Sequence, residues 1–477
     1  MRDDEAETDE TMADWIPDLT RSDKPRYLAI ADLIGEDIRA GRLMAGDRLP
    51  PQRKLAARLD IDFTTVARGY VEAQKRGLVE SRVGQGTFVA DARRPKTRPA
   101  SAGARPGAVD LSMNLPPEPD DPALIARLQD GLAEVARDLV GLLRYQGFGG
   151  SPADKDAAAA WLGRRALAPA QERIFVAPGA HPALLGIFGL LARPGDTLLC
   201  EAITYPGVRA IAAHLGVKLH GLPMDRDGID PDAFASACRA MERGTMAKAL
   251  YLNPTLQNPT TLTLPEERRR AIAKVAQRFG VPIIEDDAYG FVPPNGPPPL
   301  AALAPELTWH VAGLSKCIGA GLRAAYVVAP EARAGYAFAS ALRTSSVMAS
   351  PLTTALATRW IEDGTADALL RFIRTESAAR QALAREILPA GSFRSDRLSF
   401  NLWIELPAPW TRSAFVGHMR STGIGVVASD VFTAAGPAVE AVRVCLGGPA
   451  SRAQIRSALD FMAHALEESP ESVSSVV

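Results

Sequence analysis

The chain has 477 residues, 47% of them hydrophobic and 23% charged, with a formal net charge of −1. That length calls for two domains or more, and that composition excludes a fibrous or wholly disordered chain. A charge so close to zero excludes a uniformly basic nucleic-acid binder, and no run of about 18 apolar residues is present to span a bilayer.

The charge is uneven. Residues 1–20 carry eight acidic side chains and only Arg2, whereas residues 21–94 carry 15 Lys and Arg against ten Asp and Glu. A basic segment in a neutral protein needs a partner of its own. Cys200, Cys238, Cys317 and Cys445 lie far apart and form no C-x-x-C pair, which fits a reduced cytoplasm rather than a disulfide framework or a zinc site. The start is acidic rather than charged-then-apolar, so a cytoplasmic protein with no membrane segment is expected. Met1 and Met12 both serve as possible starts.

In chain order, residues 1–20 are expected to be disordered. Tyr27, Ile30, Ile34 and Ile38 recur at helical spacing, which predicts a helix over 26–40 that stops near Gly41. Pro51 opens a second helix, "PQRKLAARL". Asp62 N-caps a third, "FTTVARGYVEAQKR", which Gly77 ends. "LVESRVGQGTFVA" then reads as two short strands joined through Gly84-Gln85-Gly86. Three helices and a hairpin make a winged helix-turn-helix over 21–92. Its third helix would enter the major groove of double-stranded DNA with Thr64, Thr65 and Arg68. Arg53 and Lys54 would reach phosphates, and Arg82 and the Gly86 backbone would set the wing against the duplex. A small helical domain with a solvated basic face is the alternative reading.

Residues 93–110 are rich in proline and basic residues and poor in large apolar ones, so a semi-stiff linker is expected there. A body over 111–468 and a disordered tail over 469–477 follow. In the body, apolar runs alternate with helical patterns, as in an α/β layer fold. "RIFVAPGAHPALLGIFGLLA" reads as strand, turn and helix, with the N–H groups of Gly179, Ala180 and His181 suited to a phosphate. Tyr205 follows a buried strand in "LLCEAITYPG". Asn258 lies in a turn after "ALYLNPTLQNPT". "VPIIEDDAYGF" sets Asp286, with Tyr289 close behind, at a strand's carboxyl end, where such folds place their ligands. "GLSKCIGAGLR" supplies Lys316 and Arg323. Taken singly, each is a common structural turn, cap or core residue; their order is what carries weight.

The head resembles the GntR superfamily of bacterial regulators over nearly its whole length, with Phe63 and Ala67 standing where many relatives carry basic residues. The body, over about 360 residues, resembles fold-type I aminotransferases. The resemblance implies a large α/β domain with a mainly parallel sheet, a small C-terminal α+β domain, and pyridoxal 5'-phosphate as cofactor. It further implies that Lys316 holds the cofactor as a Schiff base and that Asp286 pairs with the pyridine nitrogen. Asn258 and Tyr289 would bond the ring oxygen, and Tyr205 would stack on the ring. Gly179, Ala180, His181 and Arg323 would hold the phosphate. Tyr145, in "LRYQGFGG", matches a tyrosine donated across a homodimer, and Arg443, in "AVRVCLGG", matches the arginine that grips a ligand's carboxylate. Three departures stand out: Gly313 in place of a serine, Thr261 in place of a glycine, and Asp154-Lys155 in place of a Leu-Arg pair.

Head and body together resemble the MocR subfamily: transcriptional regulators that sense an amino compound, or the cofactor itself, usually as head-to-tail homodimers. A working aminotransferase with an accessory head is the second reading, and a DNA-binding repressor with an inert body the third. No metal site is expected.

Overall fold

The computed structural model describes residues 15–21, 24–82, 86–90, 109–242 and 247–468, and the chain divides into two units, 1–104 and 105–477.

In the first unit α1 (Arg26–Arg39), α2 (Gln52–Leu59) and α3 (Phe63–Lys75) precede β1 (Val79–Arg82) and β2 (Gly86–Val89), which pair antiparallel from Val79↔Val89 to Arg82↔Gly86. The winged helix read from the sequence is thus present. Asp62 accepts the backbone N–H of Thr64 at 2.8 Å and starts α3. Ile30 and Ile34 of α1, Leu55 of α2, and Val66, Tyr70 and Ala73 of α3 form the core that the wing strands close with Val79 and Val89. The Tyr70 hydroxyl donates to the Pro50 carbonyl at 2.8 Å and so ties α3 to the turn before α2. Disorder was expected over residues 1–20, but Trp15 within that stretch has a fixed place. That side chain is buried in the same core and its Nε1 donates to Asp37 at 2.6 Å, because a large ring with one polar edge is better placed there than in water. Residues 1–14, the wing tip at 83–85, the linker stretch 91–108 and the tail 469–477 lie outside the described residues.

In the second unit a seven-stranded sheet uses β3 (Ile174–Ala177), which runs into the helix α4 (Ala180–Leu191), then β4 (Thr197–Glu201), β5 (Lys218–Leu222), β6 (Ala247–Leu252), β7 (Ile283–Asp286), β8 (Thr308–Gly313) and β9 (Ala325–Val328). Their order is β3-β9-β8-β7-β6-β4-β5, and only β9 runs against the others. Helices bury both faces. Tyr251, Ile284 and Val311 face one apolar cluster, whereas Leu250, Leu252 and Ile283 face another, so the strands read as continuous apolar runs without visible alternation. The parallel strands end together at one edge, which gathers their following loops.

A smaller antiparallel sheet follows, with β10 (Phe393–Arg394), β11 (Asn401–Glu405), β12 (Val427–Ala428) and β13 (Ala441–Cys445) in the order β10-β11-β13-β12. Val109 and Asp110, placed by the sequence in the linker, instead form a short strand parallel to Ile424–Gly425. Among the described residues no helix is long and apolar enough to cross a membrane.

The crossing of α1 and α3 generates a prediction. A Cβ on Gly69 would stand 2.9 Å from Ile30 Cγ2 and 3.1 Å from the Tyr27 carbonyl oxygen. Helix propensity alone favours Gly69→Ala by about 1 kcal/mol, but overpacking costs about 1–3 kcal/mol. The variant is expected to lower the urea midpoint of head unfolding, read by circular dichroism.

Candidate functional site

The carboxyl ends of five strands of the large sheet, β3, β4, β6, β7 and β8, carry most of the side chains singled out in the body, and Arg443 comes from the small sheet. Asp286 is the last residue of β7 and is buried. Its Oδ2 accepts the Tyr251 hydroxyl at 2.9 Å, while its Oδ1 is shielded from solvent with no partner. Burial pushes this carboxyl up to about 6, against the pull of the Tyr251 bond and the Lys316 charge. An ionised carboxylate with a bare, buried oxygen calls for a cationic N–H donor, which a protonated pyridine ring supplies. The neighbouring Asp287 also has a buried Oδ1 without a partner, but its charge is matched at Oδ2: burial alone would raise its pKa, yet Arg165 at 3.3 Å and His310 at 3.2 Å hold it low.

A chain of hydrogen bonds runs from this acid across the site. Asn253 donates its side-chain N–H to the Asp286 backbone oxygen, and its Oδ1 accepts the Asn258 N–H at 3.0 Å. Asn258 Oδ1 in turn accepts Arg443 Nη1 at 3.0 Å. Arg443, central on β13, is buried and lies 5.0 Å from the Phe432 ring centroid. Its Nη2 donates to the Ser112 carbonyl at 2.6 Å, and its Nε is left without a partner. A guanidinium edge with an open donor suits a carboxylate.

Lys316 sits just past β8 in a single 3₁₀ turn, Leu314–Lys316, and donates to the Asn114 carbonyl. Burial pushes its amine down to about 8; Arg443 and Arg323 deepen the fall, and Cys445 and Asp286 oppose it. A lysine so placed is partly neutral near neutral pH and can act as a nucleophile. Asn114 also donates to the Tyr289 hydroxyl. Tyr289 is buried, and Tyr205, the cap of the following helix Pro206–Leu215, is half-buried beneath the β4 edge. A Cβ on Gly207 would collide with the Tyr205 ring.

At the start of α4, Gly179 has φ +108, and a Cβ there would come within 3.2 Å of Arg323 Nη2. Ala180 and His181 open the helix beside that guanidinium. Burial and the Arg323 charge lower the His181 pKa. Helix N-terminus and arginine together form an anion cradle, to which Gly179 brings no N–H, contrary to the sequence reading, because its own donates to the Ala177 carbonyl at 2.8 Å. Tyr145 stands apart from these residues on the surface, 81% exposed, among the exposed apolar side chains Val140, Leu143 and Phe148.

The departures have local explanations. Asp154 closes a capping box with Ser151 and accepts the Thr358 hydroxyl at 2.9 Å, and the Lys155 amine lies 5.0 Å from the Phe175 ring centroid. Thr261 holds φ +62, a conformation glycine adopts without strain and a β-branched residue adopts at a cost of about 1 kcal/mol or more. A Cβ on Gly313 would meet the Ala180 Cβ at 3.4 Å, close to the α4 cradle.

Sequence reasoning missed Tyr251, Asn253, Asn114 and Glu201. The Glu201 carboxyl is fully buried, pushed up to about 8 by that burial, and accepts the Asn253 N–H at 3.3 Å. A polar residue directly after an apolar strand, as Asn253 is after Leu252, was a usable signal. For Asn114, 202 residues from Lys316, there was none.

In the head, Thr64 and Arg68 are exposed on α3 and Thr65 is half-buried; Arg53 and Lys54 are exposed on α2. The Thr64 hydroxyl donates to Asp62, leaving its lone pairs as acceptors. Arg68 stacks 4.3 Å from the Tyr27 ring centroid and Arg53 lies 5.9 Å from that of Phe63. Gly86 holds φ +119 against Arg48. The side chain of Arg82 lies outside the described residues.

The Lys316 amine gives a signed expectation for the cofactor-free protein. Unfolded, it keeps an ordinary value of 10.5; folded, it loses its proton at about 8. Between those values the unfolded chain binds more protons, so stability rises with pH across the window, and the full desolvation penalty is felt below it. Lys316→Met is therefore expected to be more stable than wild type at pH 7, with the difference in urea midpoint narrowing from about pH 8 to 10.5.

Comparison with known proteins agrees with this geometry. The family model described as aminotransferase class I and II matches residues 106–461, and that of the bacterial regulatory proteins of the gntR family matches residues 26–89. The uncharacterized HTH-type transcriptional regulator YdeF of Bacillus subtilis is 28% identical, over 95% of this chain and 97% of its own. The vitamin B6 salvage pathway transcriptional repressor PtsJ of Salmonella typhimurium is 28% identical over 81% of this chain and 86% of its own. An archaeal alanine:glyoxylate aminotransferase superposes with a TM-score of 0.68 at 25% identity, over 76% of this chain and 92% of that one. The chain belongs to the aminotransferase class I and II family through its pyridoxal 5'-phosphate-binding body and, with its gntR-family head, is a transcriptional regulator of the MocR type.

Proposed function

We propose that this regulator senses an amino compound, or pyridoxal 5'-phosphate itself, through Lys316 and reports occupancy at operator DNA through its winged helix. The observation that carries the reading is one bonded chain, Arg443–Asn258–Asn253–Asp286, that leaves a bare acceptor at the acid and a bare donor at the arginine, with Lys316 beside it. The cofactor, when bound, supplies an electrophilic carbonyl for amines and a ring that draws electrons from them. Lys316 holds it covalently. Asp286 keeps its ring nitrogen protonated, Asn258 and Tyr289 hydrogen-bond its ring oxygen, and Tyr205 covers its face. Ala180, His181 and Arg323 hold its phosphate, with Gly179 making room for the Arg323 guanidinium. Arg443 takes the ligand's carboxylate, which selects amines that also carry an acid.

The exposed apolar side chains around Tyr145 support a homodimer in which that tyrosine completes the partner's phosphate site. The dimer is head-to-tail, as in the family the chain resembles. In the head, Thr64, Thr65 and Arg68 read base edges, while Arg53, Lys54, Arg82 and the Gly86 backbone take phosphates. The protein acts in the cytoplasm.

Two expectations test this reading. Purified protein given pyridoxal 5'-phosphate should show a visible absorption band that Lys316→Ala lacks. One amine in a panel should shift that band stably, whereas bleaching that a keto acid reverses would identify a working aminotransferase. Co-assembled Lys316→Ala and Tyr145→Ala subunits should retain cofactor at about half the sites, as expected when lysine and tyrosine come from different subunits; in-chain sites would leave none intact.

A further inference from the structure

The segment Ser112–Asn114 is the first stretch of the body after the residues that join it to the head, and it touches three binding groups at once. The Ser112 carbonyl accepts from Arg443 at 2.6 Å, the Asn114 carbonyl accepts from the Lys316 amine, and the Asn114 side-chain N–H donates to the Tyr289 hydroxyl. The segment is held on both sides. Val109 N–H donates to the Gly423 carbonyl at 3.0 Å, and Asp110 Oδ1 accepts the Ser112 N–H at 2.9 Å. A Cβ on Gly447 would strike the Leu115 carbonyl, so the β13 loop also packs tightly on it. Asn114 Oδ1 is shielded from solvent without a partner among the described residues.

We propose that Asn114 is a positioning residue of the cofactor site, acting through Tyr289. A tyrosine hydroxyl has one proton to give. If Asn114 donates to the phenolic oxygen, that proton is free to point at the ring oxygen of the cofactor, and the received bond polarises the O–H into a stronger donor. Without Asn114 the hydroxyl turns freely. The residue thereby links the chain entering the body to the state of the site.

This inference rests on the cofactor reading of Lys316, and the experiment separates the two. A hydroxyl donating to the ring oxygen favours the deprotonated form of the covalently held cofactor, so weakening the bond raises the pH at which the visible band titrates. In protein loaded with pyridoxal 5'-phosphate, Asn114→Ala should raise that midpoint by about half a pH unit or more, the scale of coupling between contacting groups. Tyr289→Phe should raise it further, and the double variant no further than Tyr289→Phe alone. Asn114→Leu, which fills the space but cannot donate, should reproduce the alanine shift and covers the case in which the smaller side chain disturbs folding. Unchanged midpoints in both Asn114 variants, or shifts that add in the double variant, would overturn the proposal. A wild type with no visible band would overturn the cofactor reading itself.

Discussion

An ionisable carboxyl held at the end of β7 with one oxygen bonded and the other bare is the constraint around which the body is arranged. Removing Asp286 from water costs free energy, and Tyr251 recovers only part of it. A buried group left in that condition is a site where stability is lower than it could be, and such sites persist where a ligand completes them. The surrounding choices follow. Arg165 and His310 occupy Asp287, Asn253 fastens the Asp286 backbone to the Asn258 turn, and Asn258 steadies Arg443. The buried guanidinium and the buried amine of Lys316 then share one pocket, which lowers the amine further and keeps it reactive.

The head was legible almost residue by residue, because its signals are local. Asp62 is a cap by composition and position, and Ile30 and Ile34 carry the period of a helix. The body's site was legible as an order of loops, since the ends of parallel strands must meet at one edge. Distance in the chain hid the remainder. Asn114 reaches Lys316 across 202 residues and Ser112 reaches Arg443 across 331, and no spacing rule joins such pairs. Tyr251 was hidden differently: both faces of β6 are buried, so the alternation that marks a polar face is absent. Composition misled over residues 15–20, where Trp15 is buried in the head's core.

A regulator needs two states and a ligand that prefers one of them. In the proposed reading, a ligand carboxylate closing on the open Nε of Arg443 is a differential interaction of that kind. A coupling of 1–3 kcal/mol, roughly 5–150-fold in DNA affinity, is the usual scale, and it is reciprocal: operator DNA changes affinity for the ligand by the same factor.

The direct measurement is operator affinity of the cofactor-loaded protein, on a fragment selected by binding, with and without the amine that shifts the visible band. The predicted result is a several-fold change in wild type that Lys316→Ala abolishes while still binding the fragment. An affinity indifferent to the amine, or an equal response in Lys316→Ala, would contradict the account.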